Sequence, residues 1–122
     1  MKDRTPPVAN SRSIPAAVYP LDGGSEVVVV QPFGKGNYGA VVSMDGEYPG
    51  PGKIAVDKGR AEFLYVLDGN FTVKVNQEIF KLKAGENLLI KDGDSYYLWG
   101  KGRCMVLVQD QPGGTTDIQA VR

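Results

Sequence analysis

Residues 55–69 read Ala-Val-Asp-Lys-Gly-Arg-Ala-Glu-Phe-Leu-Tyr-Val-Leu-Asp-Gly, and this stretch decides the fold. A polar loop, Asp57-Lys58-Gly59-Arg60, gives way to Glu62-Phe63-Leu64-Tyr65-Val66-Leu67, a run of aromatic and branched residues that reads as a strand. Asp68-Gly69 follows, the strongest short hairpin signal, and is expected to turn the chain. Side chains alternate along a strand, so Glu62, Leu64 and Val66 share one face and Phe63, Tyr65 and Leu67 the other. A carboxylate on the Leu64–Val66 face is out of place on a simple core strand, which marks Glu62 for attention.

Outward from this stretch the same grammar repeats. Strand signals fall at 26–31, 38–44, 53–56, 62–67, 71–75, 78–82, 87–90, 96–99 and 103–109, separated by Gly-rich punctuation such as Gly34-Lys-Gly36, Pro49-Gly-Pro-Gly52 and Gly100-Lys-Gly102. No window sustains a helical stripe. Many short strands with glycine turns imply an all-β antiparallel sandwich or barrel, and pattern alone leaves an immunoglobulin-like sandwich and a jelly roll open. Residues 1–22 hold four of the eight prolines and read as an extended arm, either a disordered terminus or a clasp on a second subunit. The barrel is expected over 23–110. Residues 111–122 read as a tail or a last edge strand.

Composition narrows the class. The 122 residues suit one domain with a real core. Lys plus Arg equals Asp plus Glu at 14 each, a balance that speaks against a nucleic-acid partner. The lone cysteine, Cys104, offers no intrachain disulfide and no zinc spacing. The start has no apolar run after its charges, and the aliphatic run 27–30 is too short to span a bilayer. The plain expectation is a cytoplasmic protein without a membrane partner.

At Glu62 and Gly69, with six residues between them that include Tyr65-Val66-Leu67, the chain resembles the first motif of the cupin family of small β-barrels. Gly85-Glu86-Asn87-Leu88-Leu89-Ile90-Lys91-Asp92-Gly93 resembles the opening of that family's second motif, with Lys91 where proline is usual. The resemblance covers roughly residues 23–109 and favours a jelly-roll barrel, the double-stranded β-helix of cupins. It implies a metal held by three imidazoles and a carboxylate. Here the imidazole positions fall on Ala55, Asp57 and Tyr96, Gly100 stands where asparagine is usual, and the chain has no histidine. The expectation is therefore no metal and no cofactor.

Inward alternation then selects Lys53, Ala55 and Asp57 from one strand, Glu62 from the next and Tyr96 with Leu98 from a later one, with Arg60 beside them. The candidate ligand-binding set is Lys53, Asp57, Arg60, Glu62 and Tyr96. A buried carboxylate must be paired or protonated, so a Lys53–Glu62 or Arg60–Glu62 pair either contacts a polar ligand or is a structural salt bridge. Tyr96 either orients a ligand or plugs the core. Cys104, beside Met105, Val106 and Leu107, reads as a small hydrophobe. Three functions remain open: a metal-free barrel binding a small polar molecule, a non-oxidative isomerase, epimerase or lyase acting on a sugar-like or keto substrate, and a weak oxygen-ligand metal site. In the second, Glu62 or Asp57 would be the base and Tyr96 the acid. The outward Phe63, Tyr65 and Leu67 leave an apolar face that points to a homodimer.

Overall fold

The computed structural model describes residues 18–20, 26–34 and 37–120. Most of the expected arm, 1–17, and the loop residues 35–36 lie outside the described residues. Seven antiparallel strands form: β1 (Val18–Pro20), β2 (Glu26–Gly34), β3 (Asn37–Tyr48), β4 (Ile54–Val75), β5 (Glu78–Lys83), β6 (Asn87–Ile90) and β7 (Ser95–Gln119). They make one curled sheet in the order β1-β2-β3-β7-β4-β5, with β6 also on β4. The all-β jelly-roll barrel expected from the sequence is the observed fold.

Two strands dominate. β4 runs for 22 residues and β7 for 25, and they pair with each other along nearly their whole lengths. Residues 54–58 of β4 lie between 95–96 and 115–119 of β7. Residues 62–65 lie between β6 and β7, and 70–75 between β5 and β7. One strand that serves three neighbourhoods must bend, and the bends occur at register shifts.

This overturns the expectation that Asp68-Gly69 turns the chain. The strand continues through it: Val66 faces Cys104, Asp68 faces Arg103 and Gly69 faces Gly102, so Leu67 is the extra residue of a bulge. Gly100-Lys101-Gly102 likewise lies within β7 instead of ending it. Local dihedral preference made Asp-Gly read as a hairpin; the long pairing with β7 uses the same freedom to kink a continuous strand. Gly69 has φ +83°, and a Cβ there would lie 2.0 Å from the Lys101 carbonyl oxygen. A Cβ on Gly102, at φ +140°, would lie 2.2 Å from the Asp68 carbonyl oxygen. The two backbones touch where side chains would otherwise stand. Asp68 locks the kink from outside, accepting hydrogen bonds from the Arg103 backbone amide at 3.0 Å and its guanidinium at 2.6 and 2.8 Å.

The bulges set which side chains face in. In β4 the inward positions are Ala55 and Asp57, then Leu64 and Val66, then Phe71, Val73 and Val75, all buried. The phase changes once at the Lys58/Arg60 shift and once at the Val66/Asp68 shift. β7 keeps one phase, burying Tyr96, Leu98, Cys104, Val106 and Val108. Tyr97 and Trp99 point the other way and stack on each other with ring centroids 5.5 Å apart. Residues 115–119 pair with 54–58 of β4, with Thr116 opposite Asp57.

The kink predicts an asymmetry among glycines. Gly102→Ala should cost about 2–4 kcal/mol, since backbone must shift as well as adopt a strained dihedral. Gly85→Ala, with φ +88° but nothing within 4 Å of its Cβ, should cost only about 1 kcal/mol. Urea denaturation of the two variants checks the difference; equal losses would show that β4 and β7 do not touch at the kink.

Candidate functional site

The barrel encloses a cavity of about 220 Å³. Nine of its fourteen lining residues are apolar, and the polar ones are Tyr48, Arg60, Glu62, Tyr96 and Thr116. Glu62 is brought in by the phase change at Gly59. Gly59 has φ +65°, and its amide is held by Asp92 Oδ1 at 2.8 Å. Residues two before and one after this bulge, Asp57 and Arg60, thereby reach the same cluster as Glu62.

A hydrogen-bonded chain joins these groups. The Tyr96 hydroxyl donates to Glu62 Oε2 at 2.8 Å and lies 3.5 Å from Asp57 Oδ1, a distance too long for a second strong bond. The Thr116 hydroxyl donates to Asp57 Oδ1 at 2.8 Å and accepts from Arg60 Nη1 at 2.7 Å. Arg60 Nε and Nη2 donate to Asp110 at 2.6 and 2.9 Å, a bidentate ion pair with both partners 18% exposed. The ring of Tyr48 stacks on that of Tyr96 at 6.2 Å.

Burial governs the protonation of this cluster. The Glu62 carboxyl is pushed up from 4.5 to about 8, first by desolvation and then by its hydrogen bond to, and repulsion from, Asp57. The Tyr96 bond and the Arg60 charge pull the other way and lose. Asp57 is fully buried, and its Oδ2 receives no hydrogen bond from an ionised Glu62. A proton on Glu62 shared with Asp57 supplies that donor, and we take this arrangement as the one present at neutral pH. Burial also raises the Tyr96 phenol well above 10 and the Tyr48 phenol to about 12. Cys104, in the cavity wall, is pushed to about 12 by burial alone, so its thiol stays neutral and behaves as the small hydrophobe expected.

Of the five sequence candidates, the structure gathers Asp57, Arg60, Glu62 and Tyr96. Arg60, Glu62 and Tyr96 line the cavity; Asp57, fully buried, reaches them through Thr116 without lining it, and Lys53 is half-buried and does not line it. Glu62 hydrogen-bonds to a phenol, and the ion pair of Arg60 is with Asp110. Sequence reasoning missed Tyr48, Thr116 and Asp110. Tyr48 was legible: the inward alternation Ala40, Val42, Met44 continues through Gly46 to Tyr48, four residues past where the strand was expected to stop. Thr116 and Asp110 become visible only once β7 is known to bulge and continue along β4.

The sequence model of the EutQ-like cupin domain family matches residues 49–117. The chain belongs to that family. Among solved structures, this cupin is similar to Pac13, a nucleoside dehydratase from Streptomyces, with a TM-score of 0.76 at 13% identity over 97% of this chain and 92% of that one. The cupin domain of Schizosaccharomyces pombe Cnp3 gives 0.65 at 17% identity, over 84% and 73% of the two chains. KdgF from a Halomonas species gives 0.61 at 13%, over 78% and 86%. These likenesses are of fold. No curated protein matches this cupin in sequence.

The cupin metal set does not fit here. Of the three positions that carry imidazoles in the family, Ala55 offers no donor atom, and the Tyr96 hydroxyl spends its proton on Glu62. Among the described residues no three His, Cys, Asp or Glu side chains converge as a metal site.

The protonated state of Glu62 has a measurable consequence. Its folded value lies above its ordinary one, so the associated stability is fully present below about pH 4.5 and is lost as pH rises through about 8. Glu62→Gln imitates the protonated acid and should lack this loss. Urea melts should find variant and parent similar at pH 5. At pH 9 the variant should be the more stable by on the order of 4 kcal/mol, at about 1.4 kcal/mol per tenfold change in proton affinity. A difference that does not vary with pH would place the proton elsewhere.

Proposed function

We propose that this cupin binds a small molecule in its barrel cavity without a metal, holding the molecule's polar part against Glu62 and Tyr96. The observation that carries the reading is the buried acid–phenol pair that opens on an otherwise apolar cavity. A purely structural polar cluster has no need of a cavity beside it, and filling that space with side chains would be more stable. Tyr96 and Glu62 offer a bound molecule hydrogen-bond acceptors at fixed positions.

A second reading is favoured by one specific feature. An acid with a proton affinity near neutral is suited to both giving and taking a proton. We therefore keep a non-oxidative acid–base enzyme, a lyase or isomerase, as the alternative, with Glu62 moving the proton and Tyr96 steadying the developing charge. The likeness of fold to Pac13, a nucleoside dehydratase whose variants have been studied with uridine, supports including nucleosides among the compounds tried.

Glu62→Gln separates the two readings, because an amide keeps the shape and hydrogen-bonding atoms of the protonated acid but transfers no proton. For a compound that raises the melting temperature of the parent, affinity should stay within about threefold in the variant. If the protein converts that compound, product formation in Glu62→Gln should drop by roughly 10²–10⁴. An affinity loss as large as that of Tyr96→Phe combined with Glu62→Ala would remove Glu62's proton from the account.

We further propose a homodimer through the outer sheet face. Phe63 lies between Leu89 of β6 and Leu107 of β7 in register, and Leu67 and Leu89 are 40% and 52% exposed. A second copy would cover this apolar strip. Light scattering should return twice the 13.2 kDa chain mass, and Leu89→Lys should return it to one.

A further inference from the structure

The walls of the cavity also constrain the class of ligand, an inference that rests on the cavity being a ligand site. Its polar residues are gathered on one hydrogen-bonded chain around Glu62, Tyr96 and Thr116. Away from that chain the walls are apolar. Leu64 succeeds Glu62 along β4, with Val106 opposite it on β7, Cys104 two residues before Val106, and Ala40 and Val42 beyond on β3. At about 3.4 Å per residue, the level of Cys104 is about 14 Å along the strand from Glu62.

Three constraints meet here. The first is size: about 220 Å³ exceeds the engineered apolar cavity of about 150 Å³ that takes benzene and equals the liquid volume of about seven waters. One substituted ring fits. The second is polarity. A polyol would strand most of its hydroxyls against Leu64, Val106, Cys104 and Val42, where no partner waits, and each stranded group is costly. The third is charge. The cluster holds one guanidinium, Arg60, against three carboxyls, Asp57, Glu62 and Asp110, and Arg60 already spans Asp110 and Thr116. A carboxylate or phosphate entering from the cavity would meet a surplus of acid.

We infer that the cavity takes an uncharged, largely apolar molecule of about one ring, with a single hydroxyl set against Glu62 and Tyr96. Sugars and sugar acids are thereby poor ligands, although the carboxylate–phenol chemistry would otherwise suggest them. The head group donates to the Tyr96 hydroxyl oxygen or to Glu62 Oε2, since the protons of Tyr96 and Glu62 are already placed within the cluster. The ring fills the space bounded by Leu64, Leu98 and Val106.

Four probes of similar skeleton test the class: cyclohexylmethanol, cyclohexanecarboxylate, aminomethylcyclohexane and myo-inositol. Each is titrated into the full chain at pH 7 while the methyl resonances of Met44, Ile90, Leu64 and Val106 are followed. The alcohol should shift these methyls, and the carboxylate and the inositol should bind at least tenfold more weakly. Ala40→Leu, which fills the cavity, should abolish the alcohol's shifts. Should that variant not fold, confinement of the parent's shifts to the lining methyls makes the same point. Tighter binding of the carboxylate, the amine or the inositol than of the alcohol overturns the proposed class but leaves the cavity as a ligand site. If none of the four shifts the lining methyls, the ligand-site reading itself fails. Shifts that persist unchanged in folded Ala40→Leu place the binding outside the cavity and overturn both.

Discussion

Everything in this molecule depends on the antiparallel pairing of β4 with β7, and on how two strands of such length are made to curl. Pairing by itself fixes only that alternate residues face in. The curl requires residues outside the register, Gly59 and Leu67 in β4 and 111–114 in β7, and each single unpaired residue of β4 exchanges the inner face for the outer. At the Val66/Asp68 shift the exchange keeps Phe71, Val73 and Val75 in the core after Leu64 and Val66. At the Lys58/Arg60 shift it brings a buried carboxyl before the bulge and a cation and second carboxyl after it into one cluster. The site is a by-product of closing the barrel, assembled where the strand changes phase.

That origin explains the electrostatics. Asp57 sits on the buried face of β4 because Ala55 does, and its charge is answered through Thr116, which in turn is answered by Arg60 and Asp110. Glu62 then has no need to be ionised, and burial beside Asp57 makes the proton's retention favourable. The inward positions 55, 57 and 96, where the cupin resemblance expects imidazoles, here carry an alanine, a carboxyl and the phenol that donates to Glu62.

The fold was largely legible in the sequence because period-two alternation and glycine punctuation record strands whatever their partners. Strand ends were not, since Asp68-Gly69 and Gly100-Lys-Gly102 carry the same local signal whether the chain turns back or merely kinks. The distinction is made by β7 lying alongside, which no local window contains. Asp57, Arg60, Glu62 and Tyr96 were legible as inward polar residues on apolar faces. Their partners were not: which acid holds Arg60, and which hydroxyl caps Asp57, depends on the four residues 111–114 that bulge from β7 opposite Gly59 before pairing resumes. Lys53 shared the right alternation but stands before the first residue of β4, where the barrel wall has not yet begun.

The Thr116–Asp57 bond also says something about order in time. Its two residues are 59 apart in the chain, so forming it closes a long loop, at an entropic cost that earlier contacts must already have offset. During synthesis, β3, most of β4 and the β4–β5 hairpin are available long before residue 116 exists. Until it does, the Asp57 carboxyl lacks its hydroxyl donor and Arg60 one of its acceptors. β7 carries Leu98, Cys104, Val106 and Val108 of the cavity wall as well as Thr116, so wall and polar end wait on the same strand, and the nascent chain has neither until β7 pairs with β4.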